Sequence, residues 1–75
     1  MIKVKVKGEF TFGLPLNYEE VDLPEPTFDS LMDHYHVDPK IRKHLLPVIN
    51  NRIGTLDQPL QNGDTVILQS PYAGG

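Results

Sequence analysis

The residues best suited to chemistry stand at the end of the sequence, where Ser70-Pro71-Tyr72-Ala73 runs into Gly74 and Gly75. A terminal glycine pair offers an α-carboxylate with no side chain beside it, on a backbone able to thread a narrow channel in another protein. With an α-carboxyl pKa of about 3.5 the group is ionised at neutral pH, so it can attack the α-phosphate of ATP and become an acyl adenylate. Small residues also collect at chain ends without any chemical role. The absence of cysteine removes a thiol nucleophile, thiolate metal sites and disulfides together. His34, His36 and His44 do not read as a metal site, because residues two apart on a helix face different ways and no spacing supplies a third ligand. They read as solvated.

Seventy-five residues make one domain. A chain of this size buries only about 60% of its unfolded surface, so its apolar residues are needed for one core and few remain to line a deep active site. The net charge of -3 and a pI near 5.4 argue against a nucleic-acid binder, which wants a basic face. No apolar stretch approaches the ~20 residues of a membrane span, and Met1-Ile2-Lys3-Val4 opens with alternation and not with an apolar leader. A soluble cytoplasmic protein is expected.

The elements that must carry the terminus follow from periodicity. Ile2, Val4 and Val6 alternate with Lys3, Lys5 and Lys7, the pattern of a strand over residues 2–7 with one buried face. Val21 and Leu23 alternate with Glu20 and Asp22 in the same way. Paired as a hairpin, the strands set the lysines opposite the carboxylates, each such pair contributing about 0.2–1 kcal/mol. Residues 8–18 lie between them, with Phe10, Phe12, Leu14 and Leu16 alternating around Gly13 and Pro15. This stretch either extends both strands, with its aromatics covering the core's edge, or forms a loop that offers Phe10 or Phe12 to a partner.

Thr27 is placed to cap a helix over residues 28–36, with Asp29 favoured by the dipole of its first turn. Phe28, Leu31, Met32 and Tyr35 make one apolar stripe, and Asp29 and Asp33 lie on the solvent side. Asp38 and Pro39 start a second helical segment that runs to Leu46 and is stopped by Pro47. Lys40, Arg42, Lys43 and His44 read as its solvated face, or as a patch that steers an acidic partner. Val48 and Ile49 form a short strand, Asn50-Asn51-Arg52 a tight reversal and Ile53 the return. Leu56 and Leu60 plug the core, and Asn62-Gly63 turns the chain into a last strand over residues 65–69. Its run Val66-Ile67-Leu68 is either buried on both faces or apolar on its outer one, and it belongs at the sheet's centre. One amphipathic helix over a small mixed sheet is an α+β fold with a single core.

In its opening strand, in Val21-Asp22-Leu23-Pro24 before the helix, in Val48-Ile49-Asn50-Asn51 after it and in Leu60-Gln61-Asn62-Gly63-Asp64-Thr65-Val66 leading to Pro71-Tyr72-Ala73-Gly74-Gly75, the chain resembles a known family. These are the β-grasp, ubiquitin-like sulfur carriers of the MoaD and ThiS kind, and the tail is more similar to the MoaD branch. The resemblance covers nearly the whole length. Gln69 and Ser70 stand where MoaD-like chains often carry an apolar residue and a first proline, and Tyr72 replaces a small branched residue. These departures bear on the partner and leave the fold untouched.

The resemblance implies a β-grasp domain over residues 1–69 and a flexible tail over 70–75, with no active site and no bound cofactor or metal of its own. A ubiquitin-activating-type adenylating enzyme would use ATP to join the Gly75 carboxylate to AMP, and a sulfurtransferase would convert it to a thiocarboxylate. The large subunit of a molybdopterin-synthase-like complex would receive the sulfur for molybdenum or tungsten cofactor synthesis. Gly75 carries over as the modified residue, with Gly74, Ala73, Tyr72 and Pro71 entering the partner's active site, and Phe10, Phe12, Ile67 and Gln69 as candidate partner contacts. A ThiS-like carrier for thiamine or another thiolated product is the alternative within the family. Outside it stand a protein modifier conjugated through Gly75 and a plain interaction module whose glycine end is incidental.

Overall fold

The computed structural model describes residues 1–70. Its elements are β1 (Ile2–Gly8), a short 3-10 helix (Phe10–Phe12), β2 (Glu19–Leu23), α1 (Phe28–His34), α2 (Pro39–Arg42), β3 (Leu46–Ile49), β4 (Arg52–Ile53) and β5 (Thr65–Gln69). The five strands form one mixed sheet in the order β2-β1-β5-β3-β4, so the late apolar run takes the centre as its composition requires. β5 is parallel to β1 and antiparallel to β3. Val4, Val6, Val21, Leu23, Val66 and Leu68 point to the inner face, where Phe28, Leu31 and Met32 of α1 cover them. Leu60 is buried and Leu56 packs against this core, as a plug should.

β1 pairs with β2 in the register that sets Lys3 opposite Asp22 and Lys5 opposite Glu20. Lys3 Nζ also reaches Glu20 Oε1 at 3.9 Å, an exposed pair worth little by itself. Lys7 departs from this ladder. Its ammonium lies 4.8 Å from the centroid of the Tyr18 ring, a cation–π contact instead of a carboxylate.

α1 starts where the sequence places it, with Thr27 Oγ1 accepting from the Ser30 N–H at 3.1 Å. It ends two residues earlier than its apolar stripe predicts, and the cause is His36 at φ 56. The His36 N–H donates to the Asp33 carbonyl at 3.2 Å and the Val37 N–H to the Met32 carbonyl at 3.0 Å. This pairing is the Schellman motif, and Val37 and Met32, its flanking apolar residues, are both buried in the core. A histidine occupies the position that favours glycine. Exchanging His36→Gly relieves the left-handed strain and is expected to raise stability by about 0.5–1 kcal/mol. Urea unfolding is the check, with an unchanged midpoint as the contrary result.

The second helical segment needs more correction. It is confined to Pro39–Arg42, started by Asp38 Oδ1 accepting from the Lys40 N–H at 2.9 Å, and it does not run to Leu46. Leu46 and Pro47 belong to β3. Pro47 is tolerated because the β5 side bonds through alternate residues, as in the 2.8 Å bond from the Asn50 N–H to the Thr65 carbonyl. The missing donor of Pro47 therefore points toward β4, which ends after Ile53. Lys40, Lys43 and His44 are exposed as expected, whereas Arg42 is turned inward. Its Nε donates to the Val37 carbonyl at 2.9 Å and its Nη1 to Asp33 Oδ1 at 2.7 Å, tying α2 to the end of α1.

Tyr35 completes the packing of α1 against β2. Its ring is half-buried beside the core, and its hydroxyl donates to Glu19 Oε1 at 3.0 Å. Burial, then the bond to Glu19 and the negative charge there, push the phenol well above its ordinary range. The unfolded chain ionises this tyrosine near pH ~10 while the folded chain keeps the proton, so the unfolded state binds fewer protons above that pH. The stabilisation is fully present below about pH 10 and is lost as pH rises further. Thermal melts from pH ~8 to ~11 should fall more steeply for the wild type than for Tyr35→Phe. Equal slopes would remove Tyr35 as the cause.

Candidate functional site

The site is built around the outer end of β5, because that strand carries the chain toward the glycine terminus. Its entry is fixed by a polar network around Asp64, the one buried charged side chain among the described residues. Asp64 Oδ2 accepts from the Gln61 N–H at 2.8 Å and Oδ1 from Asn50 Nδ2 at 2.9 Å, while Asn50 Oδ1 accepts from the Thr65 N–H at 2.9 Å. Asn50 and Asn51 take φ values of 52° and 69°, the left-handed turn their side chains tolerate. The β3–β4 reversal and the start of β5 are thereby one unit.

The far end of β5 is held against β1. Gly8 lies beside Leu68 in the ladder, and a Cβ there would overlap the Leu68 carbonyl oxygen and come within 2.7 Å of Leu14 Cδ1. The close approach needs glycine. Past it, Ser70, the last described residue, donates its N–H to Glu9 Oε1 at 3.0 Å.

Directly paired strand residues point to the same face. Lys7 pairs with Ile67, Ile67 with Val48, and Val48 with Ile53, which draws one row across four strands on the face opposite α1. Gln69 pairs with Leu46 in the next row. Ile67, Val48 and Leu46 are half-buried and Ile53 is 74% exposed, so an apolar band crosses the outer face, with Tyr18 and Lys7 at one end. Of the two readings of Val66-Ile67-Leu68, the strand with an apolar outer face is the one found.

The structure brings Ile67 and Gln69 together on this face and splits the aromatic pair. Phe12 packs against the core, while Phe10 is 67% exposed on the loop that also carries Glu9. Beyond Gly8, the end of β1, residues 9–18 are therefore a loop with one 3-10 turn and not an extension of both strands. Pro71, Tyr72, Ala73, Gly74 and Gly75 lie outside the described residues. Sequence reasoning missed Glu9, Leu46 and the alignment of Val48 with Ile53. Register alone shows the row, and the Glu9 contact spans 61 positions.

Among the described residues no cluster of three or more His, Cys, Asp or Glu side chains is arranged to hold a metal ion. No helix among them is long and apolar enough to cross a membrane. No protein-family model matches the chain. No curated protein matches it.

Among solved structures, a Pyrococcus furiosus protein described as molybdopterin converting factor, subunit 1, is similar over 96% of this chain and 100% of its own, with a TM-score of 0.66 and 21% identity. The chain has a β-grasp fold. The solution structure of the Haloferax volcanii HVO 2177 protein shares this β-grasp over 99% of the present chain and 87% of its own, at a TM-score of 0.55 and 21% identity. At these identities the likeness speaks to the fold, and the five-stranded sheet with α1 on one face is what the resemblance to MoaD-type chains led one to expect.

Proposed function

We propose that the chain is a sulfur carrier working in the cytoplasm, with the Gly75 carboxylate as its reactive group and molybdopterin synthesis as its setting. The observation that carries the reading is the course of β5. The central strand of a β-grasp domain ends at Gln69 beside an apolar band on the outer face, and the sequence continues from there to Gly74-Gly75. The fold shared with a protein described as molybdopterin converting factor subunit 1 supports the same assignment.

In this reading an adenylating enzyme supplies ATP, the Gly75 carboxylate oxygen attacks the α-phosphorus, and pyrophosphate leaves. The persulfide of a sulfurtransferase then attacks the acyl carbon and AMP leaves, a thiol cleaves the resulting acyl disulfide to the thiocarboxylate and a disulfide, and the large subunit of a synthase complex takes the sulfur. The domain supplies binding surface: Phe10, Ile67, Gln69 and the band they adjoin dock the partner, while Pro71 to Gly74 lie in its channel. No step of the chemistry falls on a side chain of the domain, which acts as substrate and subunit and not as an enzyme.

Intact-mass spectrometry tests the reading. Co-expressed with its host's adenylating enzyme and a sulfur source, the protein should gain the increment of one oxygen exchanged for sulfur, located on Gly75 by fragmentation. An unchanged mass with every activating enzyme of the host would refute the proposal. Reductant-resistant adducts to lysines of other proteins would favour the conjugated-modifier alternative instead.

A further inference from the structure

The last described residue bonds to a side chain from just past the end of β1. The parallel ladder of β1 and β5 ends with Gly8 beside Leu68, after which the chain turns from β1 into the 3-10 helix at Phe10–Phe12. The Ser70 N–H then finds its acceptor in a side chain, Glu9 Oε1, at 3.0 Å. Glu9 presents that oxygen from a backbone fixed on both sides. The Gly8 N–H donates to the Pro15 carbonyl at 2.9 Å, and the Glu9 carbonyl accepts from the Phe12 N–H at 3.1 Å. Gly13, at φ 85, closes the turn by donating to the Phe10 carbonyl at 2.9 Å. Glu9 is half-buried, and no salt bridge draws its carboxylate elsewhere among the described residues. An amide bonded to a carboxylate holds roughly twice as strongly as one bonded to a neutral acceptor.

We propose that Glu9 is a positioning residue for activation of the carrier: its carboxylate fixes the Ser70 backbone, and with it the point from which residues 71–75 are offered to the adenylating enzyme. The inference rests on the carrier reading. Glu9 acts through Ser70, its partner among the described residues. Ordering the root before the encounter lowers the entropy that docking must otherwise remove. Once seated, a tail with a loose root reacts as fast as one with a fixed root, so the effect falls on KM and spares kcat.

The test compares the full-length wild type with Glu9→Ala and Glu9→Gln, following pyrophosphate release by the host's adenylating enzyme as the carrier concentration is varied. Glu9→Ala should raise KM about tenfold with kcat within about twofold, and Glu9→Gln, which keeps a carbonyl oxygen in place, should recover most of the loss. Amide exchange at Ser70, read by NMR alongside thermal melts, should quicken about tenfold in Glu9→Ala while the core amides stay protected. An unchanged KM in Glu9→Ala, equal impairment in both variants, or unaltered exchange at Ser70 would overturn the proposal. If no host enzyme adenylates even the wild type, the carrier reading fails. Ser70 exchange then still decides the contact itself: faster exchange supports Glu9 as the anchor, and unchanged exchange removes it.

Discussion

If the proposed carrier reading holds, a chain lacking Gly75 should fold as the wild type does and be adenylated at least about a thousandfold more slowly. The carboxylate would then end Gly74, about 3.5 Å short of its former position. Reacting groups must sit in near-attack geometry, and a displacement of ~1 Å already costs on the order of a hundredfold. The fold should be indifferent, because the buried hydrophobic residues from Val4 to Leu68 already form a core among the described residues. Pyrophosphate release with the host's adenylating enzyme, measured beside a thermal melt, separates the two effects. Undiminished adenylation of the shortened chain would mean that the reactive carboxylate lies elsewhere.

The second large effect is one of stability. Gly8→Ala should lower unfolding free energy by about 2–3 kcal/mol and Tm by about 10–20 °C, because the added methyl meets a backbone oxygen that cannot step aside. The Leu68 carbonyl belongs to the central strand, and Leu14 closes the space from the other side. Moving either disturbs the β1–β5 ladder or the loop that carries Glu9. Gly63→Asn is the contrasting variant. Nothing lies within 4 Å of its Cβ position, and asparagine tolerates the left-handed φ of 91°, so it should cost under about 1 kcal/mol. Equal losses at the two glycines would argue that backbone conformation, and not the close approach, sets the requirement at Gly8.

Much of the fold was legible because local patterns and tertiary demands agree. The lysine alternation of β1, the Thr27 cap, the Asp38-Pro39 start, the paired asparagines and the apolar run of β5 each announce their element and are found there. The misses have identifiable causes. α1 ends at a histidine in left-handed geometry, where the usual signal is glycine. Pro47 looks like a helix stop, and only the shortness of β4 makes it acceptable in a strand. Arg42 reads as one of a solvated cluster, yet the carbonyl of Val37 captures it. For the candidate site, the sequence pointed to Phe10, Phe12, Ile67 and Gln69, of which Phe12 packs against the core instead. It was silent on Glu9 and on the row through Val48 and Ile53, which depend on register and on contacts between distant segments.

The parallel pairing of β1 with β5 bears on how the molecule is made. β1 has its inner neighbour in β5, which begins at Thr65, so the sheet closes only after translation has passed residue 69. Such distant pairing slows folding and leaves nascent apolar edges waiting for the last segment. Prematurely terminated polypeptides would lack the middle of their sheet as well as the glycine end.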